Sequence, residues 1–330
     1  MPWQPSADIG QLKQRAKVIR QIRAFFEARH LLEVDTPVMS HYGVSDPHID
    51  SIPVAFTQDG ASKRADMATH MNLMSSPEYA MKRLLAAGSG DIYQIAKAFR
   101  NGEVGHRHNP EFTLLEWYRV NFDLKALMQE VACLVDSLLI NETLEWHFWT
   151  YRHAFEEVLC IDPLTASNDV IRSTALAHVD IQMDHSAPRD TWLDLLMSHC
   201  IEPKLPKACF IFDYPASQAA LAQTGIDELG NAVARRFEVY IHGVELANGY
   251  QELTDAKEQK RRFDVDNTIR ATMGKTTMAG DIRLISALKA GLPECCGVAL
   301  GIERLLMLVL GEKDIAKVMA DLKRMEEEAG

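Results

Sequence analysis

Apolar residues recur at helical spacing through residues 11–30: Leu12, Ala16, Ile19, Ile22 and Phe26. That predicts an amphipathic helix whose opposite, Arg/Lys-rich face is solvated. "LLEVDTPVM" follows as a short apolar strand. Pro37 within it marks an edge, a strand end or an interface, because proline cannot donate to a ladder. "SSPEYAMKRLLAAGSG" is punctuated as a helix, with Ser76 at the N-cap, Pro77 at N1, Glu78 in the first turn and Gly88 as the stop. "GDIYQIAKAFR" and "FTLLEWYRV" read as strands, and the polar loop from Asn101 to Glu111 makes them a hairpin. From about 124 to 235 the pattern becomes mainly helical ("DLKALMQEVACLVDSLLI", "RDTWLDLLMSHC"), with no repeat or low-complexity run. "RRFEVYIHGVELANGYQEL" returns to strand character, with Asn248-Gly249 as a turn or bulge signal. "CCGVALGIERLLMLVLG" is a glycine-flanked apolar run leading into a helix. Strands bracketing a helical insert predict an α+β fold with a mainly antiparallel sheet.

Composition narrows this little. The 330 residues are 47% hydrophobic and 25% charged, enough to bury a large core, and the length allows one large domain over 1–330 or two smaller ones. A net charge of −11 argues against a general nucleic-acid coat, although a local basic patch can still bind phosphate. The six cysteines lack metal spacing and include the adjacent pair Cys295 and Cys296; they read as small buried residues in a reducing cytoplasm. "MPWQPSADIG" lacks the features of a signal peptide, and no apolar run reaches transmembrane length, so no membrane is expected.

Candidate chemistry concentrates in "AFRNGEVGHRHNPEFTLLEWYR". Arg100 ends one strand, Arg107 and His108 sit in the loop, and arginine is the side chain best matched to phosphate oxygens. Period-2 alternation places Phe112, Leu114, Glu116 and Tyr118 on one face, the wall of a pocket for a flat base and a cation. A solvated hairpin with a basic tip is the other reading of the loop. Glu238, Glu245 and Glu252 recur at seven-residue steps, with Asn248 between the last two. Grouped carboxylates near phosphates suit Mg²⁺. An odd step turns them to alternate faces unless a turn or bulge near Gly243 or Asn248-Gly249 intervenes; three solvent-facing glutamates are the alternative. In "GVALGIERLL", Gly301 and Arg304 at a helix start could make an anion site, or Arg304 could simply snorkel from a buried helix. Glu78 could bind a substrate amine, or only compensate the helix dipole.

The order of these segments resembles the catalytic core of class II aminoacyl-tRNA synthetases. "LLEVDTPVM" is similar to motif 1, "FRNGEVGHRHNPEF" to motif 2 and "GVALGIERLL" to motif 3. "RHNPEFT", "EWY", "GYQEL", "TDAKEQ" and "GIERL" resemble the lysyl type, from roughly Gln11 onward. Motif 1 starts too early for an N-terminal anticodon-binding OB domain, a five-stranded barrel. With "SSPEYAMKRLL" and "PASQAALAQ", the chain is similar to the free-standing elongation factor P–(R)-β-lysine ligase family. Ala299 stands where lysyl-tRNA synthetases usually carry glycine; an extra methyl is worth about 1–3 kcal/mol of discrimination in a tight pocket.

The resemblance implies an enzyme that activates a lysine isomer, lysine or (R)-β-lysine, with ATP and Mg²⁺. It then transfers the aminoacyl group to a lysine side chain of elongation factor P. Arg100 would hold the α-phosphate; Arg107, His108 and Arg304 the outer phosphates. Phe112 and Arg304 would sandwich adenine, and the Asn109 backbone would read its edge. Asn101, Glu103, Leu246, Asn248 and Gly301 complete the implied ATP set, and Glu238 and Glu245 the Mg²⁺ set. Ser76, Pro77 and Glu78 would meet the substrate's amino end; Glu116, Tyr118 and Glu252 its side-chain ammonium, with Ala299 shaping the pocket. Motif 1 implies a homodimer, and an isologous dimer is the commonest oligomer. The motif 2 pattern is Arg-x-Glu, whereas here Gly102 intervenes and Glu103 comes one residue late. Either Glu103 fills in through a shifted loop or that contact is missing. A truncated enzyme charging tRNA and a catalytically silent regulatory paralogue are the competing readings; the acidic balance and missing anticodon domain count against tRNA.

Overall fold

The computed structural model describes residues 5–56, 69–180 and 187–320. The first four residues, part of the N-terminal stretch read above as no signal peptide, lie outside that range. The chain runs α1 (Ile9–Glu27), β1 (Leu32–Glu33), β2 (Met39–Ser40), β3 (Pro53–Phe56), β4 (Thr69–Leu73), α2 (Glu78–Ala86), β5 (Ile92–Phe99) and β6 (Glu111–Val120). Then come α3 (Leu124–Leu138), β7 (Trp146–Thr150), α4 (Tyr151–Leu159), α5 (Asn168–His178), α6 (Arg189–Leu196), β8 (Ala208–Pro215) and β9 (Thr224–Ile226). It closes with β10 (Ala232–Ile241), β11 (Val244–Gln251), α7 (Ala256–Thr272), α8 (Ile282–Gly291), β12 (Cys295–Gly301) and α9 (Ile302–Leu310). The strands pair mostly antiparallel, while β1 with β5 and β7 with β8 pair parallel. The class is α+β, as the pattern predicts.

Contacts divide the chain into two compact units. The first comprises residues 1–121, 254–294 and 299–330 and the second 122–253 and 295–298, so β12 contributes to both.

In the first unit, α1 starts at Asp8, whose carboxylate accepts from the Gln11 N–H at 2.8 Å while Gln11 accepts from the Asp8 N–H at 2.8 Å. This capping box satisfies two otherwise orphaned donors. The buried stripe of α1 is Val18, Ile22 and Phe26; Ala16, counted in the sequence pattern, is exposed. Phe26 stacks on Tyr93 of β5 at 4.6 Å and leans on Trp117 of β6 at 5.3 Å, so α1 covers the hairpin from one side. The segment "LLEVDTPVM" is not one strand. β1 joins β5, whereas β2 joins β4 in a separate three-stranded sheet, and Pro37 lies where the chain changes partner.

In the second unit, α4 and α6 bury Tyr151, Phe155, Trp192, Leu193 and Leu196 against Cys209 and Ile211 of β8. Among its described residues the 124–235 segment carries four α-helices but also β7, β8, β9 and the start of β10, more strand than its helical periodicity predicts. β8 hides its period because both faces are covered: Ala208, Cys209, Phe210 and Ile211 are all buried. A short continuous apolar run cannot be told from a helix segment by pattern alone.

Candidate active site

β5 and β6 form the predicted hairpin, with Ala98 opposite Phe112 and Gln94 opposite Glu116. The loop between them is closed at its base by the Arg100 N–H on the Pro110 carbonyl at 2.9 Å. The next residue is tied elsewhere: the Asn101 N–H reaches the Asp50 carbonyl at 2.8 Å. Gly102 then takes φ of +80°, a left-handed turn that glycine adopts without steric cost. The turn brings Glu103 back to Arg100 at 3.5 Å. The late glutamate of the sequence therefore faces the arginine it follows.

Arg100 lies over the Phe112 ring at 5.0 Å from its centroid, within cation–π range. Its Nε is buried and makes no hydrogen bond. Across the loop, Arg304 Nη2 lies 2.7 Å from His108 Nε2, and Arg304 Nε lies 3.5 Å from the Arg107 carbonyl. Arginine can only donate, so His108 Nε2 accepts and its proton sits on Nδ1. Burial first, and then the Arg304 charge, push the His108 pKa below its ordinary value. Neutral His108 thus orients a cation while adding no charge of its own. Arg107 and Asn101 are exposed; Asn109 donates its side-chain amide to the Glu111 carbonyl at 2.6 Å.

Arg304 occupies the first turn of α9, after Gly301. A Cβ on Gly301 would only touch Arg304 at 3.8 Å, so nothing in the described chain demands glycine there. The start of α9 is fixed by a residue that motif reading passed over. Glu303, 2% exposed, accepts from the Thr113 N–H at 2.7 Å and pairs with Arg15 at 3.0 Å. The available signal was a carboxylate inside an apolar run, which needs a partner to be buried.

The alternation predicted on β6 brings Glu116 and Tyr118 together. Glu116 is 2% exposed; the Tyr118 hydroxyl donates to its Oε1 at 2.7 Å and the Ser76 hydroxyl to its Oε2 at 2.8 Å. Ser76 Oγ also accepts from the Glu78 N–H at 3.0 Å, one residue off the predicted cap register, since α2 counts Pro77 as its cap. Glu78 pairs with the buried Lys82 at 2.6 Å. Two hydroxyl donors hold the Glu116 carboxylate in place, and a buried carboxylate is matched most strongly by a cation.

The acidic residues of β10 and β11 belong to the second unit. Their hairpin turns through His242 and Gly243, at φ of +51° and +68°, a two-residue loop with both residues left-handed. Val239 faces Ala247, but Tyr240 faces Glu245, so Leu246 is the extra residue of a bulge; its side chain is buried. Glu238 faces Asn248. The Tyr240 hydroxyl reaches the Glu238 carboxylate at 2.6 Å. Residues directly opposite share a face, so Glu238, Glu245 and Asn248 come to one side; of the three glutamates at seven-residue steps, this register places the first two. Asn248-Gly249 is no turn: both lie inside β11. Gly249 is there because Phe237 lies over it; a Cβ would stand 2.4 Å from the ring and 3.0 Å from the Gly297 carbonyl.

Glu238 is held by Arg236, and the Tyr214 hydroxyl donates to it at 2.7 Å. Burial works against the Arg236 charge, but Glu238 and the surrounding tyrosines outweigh it and keep Arg236 firmly protonated. Arg236 also donates to the Gln218 carbonyl at 3.0 Å; none of these partners was read from sequence. Asn248 Oδ1 is buried without a hydrogen bond. Among the described residues no three His, Cys, Asp or Glu side chains gather as a metal cage. One or two carboxylates beside a bare amide oxygen instead fit a hard dication that arrives on phosphates. Glu252, 1% exposed, is fixed through its backbone: its N–H donates to Cys295 O at 3.0 Å and its carbonyl accepts from Gln223 at 3.0 Å. Ala299 is half-buried on β12. The six cysteines form no disulfide, and no described helix is long and apolar enough to cross a membrane.

Residues 8–320 match a family model of class II tRNA synthetases (D, K and N). The elongation factor P–(R)-beta-lysine ligase of Vibrio cholerae serotype O1 is 51% identical over 96% of this chain and 97% of its own length. Those of Proteus mirabilis and Mannheimia succiniciproducens are 49% and 48% identical, each over 96% of both chains.

Proposed function

Because the chain belongs to the class II tRNA synthetase family (D, K and N), we propose that it is an ATP-dependent ligase that joins (R)-β-lysine to elongation factor P. The observation that carries the substrate class is Glu116, a buried carboxylate held by Tyr118 and Ser76. It presents fixed negative charge and oriented hydroxyls to an alkyl ammonium. Relatives of equal length at about half identity carry the ligase name.

The chemistry needs no protein nucleophile. The amino-acid carboxylate oxygen attacks the α-phosphorus of ATP in line, the bond to the bridging oxygen breaks, and pyrophosphate leaves with its electron pair. Arg100 meets the charge developing on the α-phosphate, while Arg304, oriented by His108, and Arg107 meet the outer phosphates. Such preorganised charge is worth most where solvent is scarce. Phe112 offers its ring to the adenine, and the Asn109 backbone its polar edge. Glu238 and Glu245, with Asn248, would hold the Mg²⁺ that accompanies ATP, which would supply positive charge to its phosphates. Glu116 and Tyr118 hold the substrate's side-chain ammonium, and Ser76 to Glu78 its other amine. In the second half-reaction a neutral lysine amine of the acceptor attacks the anhydride carbonyl. An amide forms, AMP leaves, and the amine proton passes to solvent or the departing phosphate. An acceptor that serves translation supports a cytoplasmic setting for this work.

The test is ATP–pyrophosphate exchange with (R)-β-lysine and with α-lysine, followed by incubation of labelled β-lysine with elongation factor P or with bulk tRNA. Exchange with β-lysine and label on the protein alone are expected. No exchange with any lysine isomer would sink the ligase reading, and label on tRNA would move it to aminoacylation.

A further inference from the structure

Arg270, near the end of α7, is 1% exposed, far from the residues that the motifs single out in the chain. Its Nε donates to the Thr276 carbonyl at 2.7 Å. Nη1 donates to the Asp46 carbonyl at 2.8 Å and the Ile49 carbonyl at 3.1 Å, and Nη2 to Asp50 Oδ1 at 2.8 Å. Lys275 completes the grip, donating to the Pro47 carbonyl at 2.8 Å and to Asp50 Oδ2 at 2.9 Å. Lys275 first, and Arg270 as well, hold the Asp50 carboxyl below its ordinary range despite the cost of burial. Two cations therefore clamp one five-residue segment, Asp46 to Asp50, through three carbonyls and a carboxylate.

A buried guanidinium with four acceptors is costly to desolvate, and it is recovered only by fixing all of them in one geometry. What the clamp fixes is the carbonyl of Asp50, because that atom receives the Asn101 N–H at 2.8 Å. Asn101 directly follows Arg100 and directly precedes the left-handed Gly102. Arg100 is thus held between two backbone anchors: its own N–H on Pro110, and the next N–H on the clamped segment. The second anchor sets where the loop leaves β5 and, through the Gly102 turn, where Glu103 returns to the Arg100 guanidinium.

We propose that Arg270, assisted by Lys275, is a positioning residue for nucleotide binding: through Asp50 it fixes the Asn101–Gly102 turn and so the aim of Arg100. This rests on the reading of Arg100 as a phosphate ligand. A loop misaimed by about an ångström costs on the order of a hundredfold when it carries a reacting-site charge. Since Arg100 keeps its Pro110 anchor, a smaller effect is expected here, confined to the nucleotide.

The experiment compares Arg270→Gln, Arg270→Lys and Lys275→Met with Arg100→Gln in pyrophosphate exchange, measuring KM for ATP and for the amino acid separately, with thermal melts alongside. Arg270→Gln is expected to raise KM for ATP about tenfold while KM for the amino acid stays within about twofold. Arg270→Lys, which keeps the charge but loses the fork, should recover only part of that. Equal rises in both constants, or no rise in a folded Arg270→Gln protein, would overturn the proposal. If Arg270→Gln fails to fold, Lys275→Met decides: a rise for ATP alone, of about threefold, supports the clamp, and unchanged constants reject it. Arg100→Gln separates the two ideas. If it leaves KM for ATP unchanged, the phosphate reading of Arg100 fails; if it raises KM while Arg270→Gln does not, only the clamp fails.

Discussion

Single side chains carry the sharpest consequences. Glu116→Gln keeps the size of the buried group and one of the two oxygens that accept the hydroxyls, but removes its charge. Losing one member of a buried charged pair costs about 2–5 kcal/mol. A fall of about a hundredfold in kcat/KM for the amino acid, with KM for ATP little changed, is the expected result of steady-state exchange kinetics. His108 makes a statement about pH. Its folded pKa lies below the ordinary value because of burial and then Arg304, so the unfolded chain binds the proton first. Stability is therefore lost as pH falls from the unfolded value toward the folded one, and is flat above it. Melting curves below about pH 6.5 should decline less steeply for His108→Gln than for the natural protein. At this scale the sequence was readable where one residue announces its own chemistry, as with Arg100, Phe112, Glu116 and Arg304. It was silent on Glu303 with Arg15, on Arg236 with Glu238, and on Arg270 with Asp50, because each pairing joins atoms that only folding brings together or turns to one side.

Elements were legible through punctuation more than through propensity. Proline after serine marked the start of α2, and the polar run from Asn101 to Glu111 marked the β5–β6 turn, because few residues suit those backbone conformations. Asn248-Gly249 misled for a specific reason. Asparagine-glycine usually supplies two left-handed residues to a hairpin, but that task falls here to His242 and Gly243, and Gly249 answers instead to the Phe237 ring. Gly249→Ala should therefore behave as overpacking, at about 1–3 kcal/mol, and lower the melting temperature by several degrees. Phe237→Leu in the same chain should restore part of the loss; a melt unchanged by Gly249→Ala would contradict the crowding. The Leu246 bulge could be asked for from the spacing of three glutamates, but its place could not, since register shifts are settled by which side chains the neighbouring strand accommodates.

For the whole molecule, three large apolar side chains near its first strands are exposed: Leu32 at 55%, Val38 at 40% and Met39 at 39%. We propose that a second copy of the chain covers them, as the motif 1 resemblance implies. Sedimentation at micromolar concentration should give twice the chain mass, and Leu32→Glu should shift the protein toward the monomer. A natural protein that sediments as a monomer would remove the assignment. Sequence by itself determined the fold class and the family, and it nominated the chemical types of the candidate site. These reside in period, punctuation and the order of short motifs, all properties of neighbours along the chain. Only the tertiary structure decided that the 124–235 segment mixes strands with helices, that a bulge turns Glu245 to the side of Glu238, and that Glu103 folds back on Arg100 through Gly102. Those outcomes depend on hydrogen-bond partners and packing surfaces supplied by distant segments, and local pattern carries no record of which distant group will satisfy a buried one.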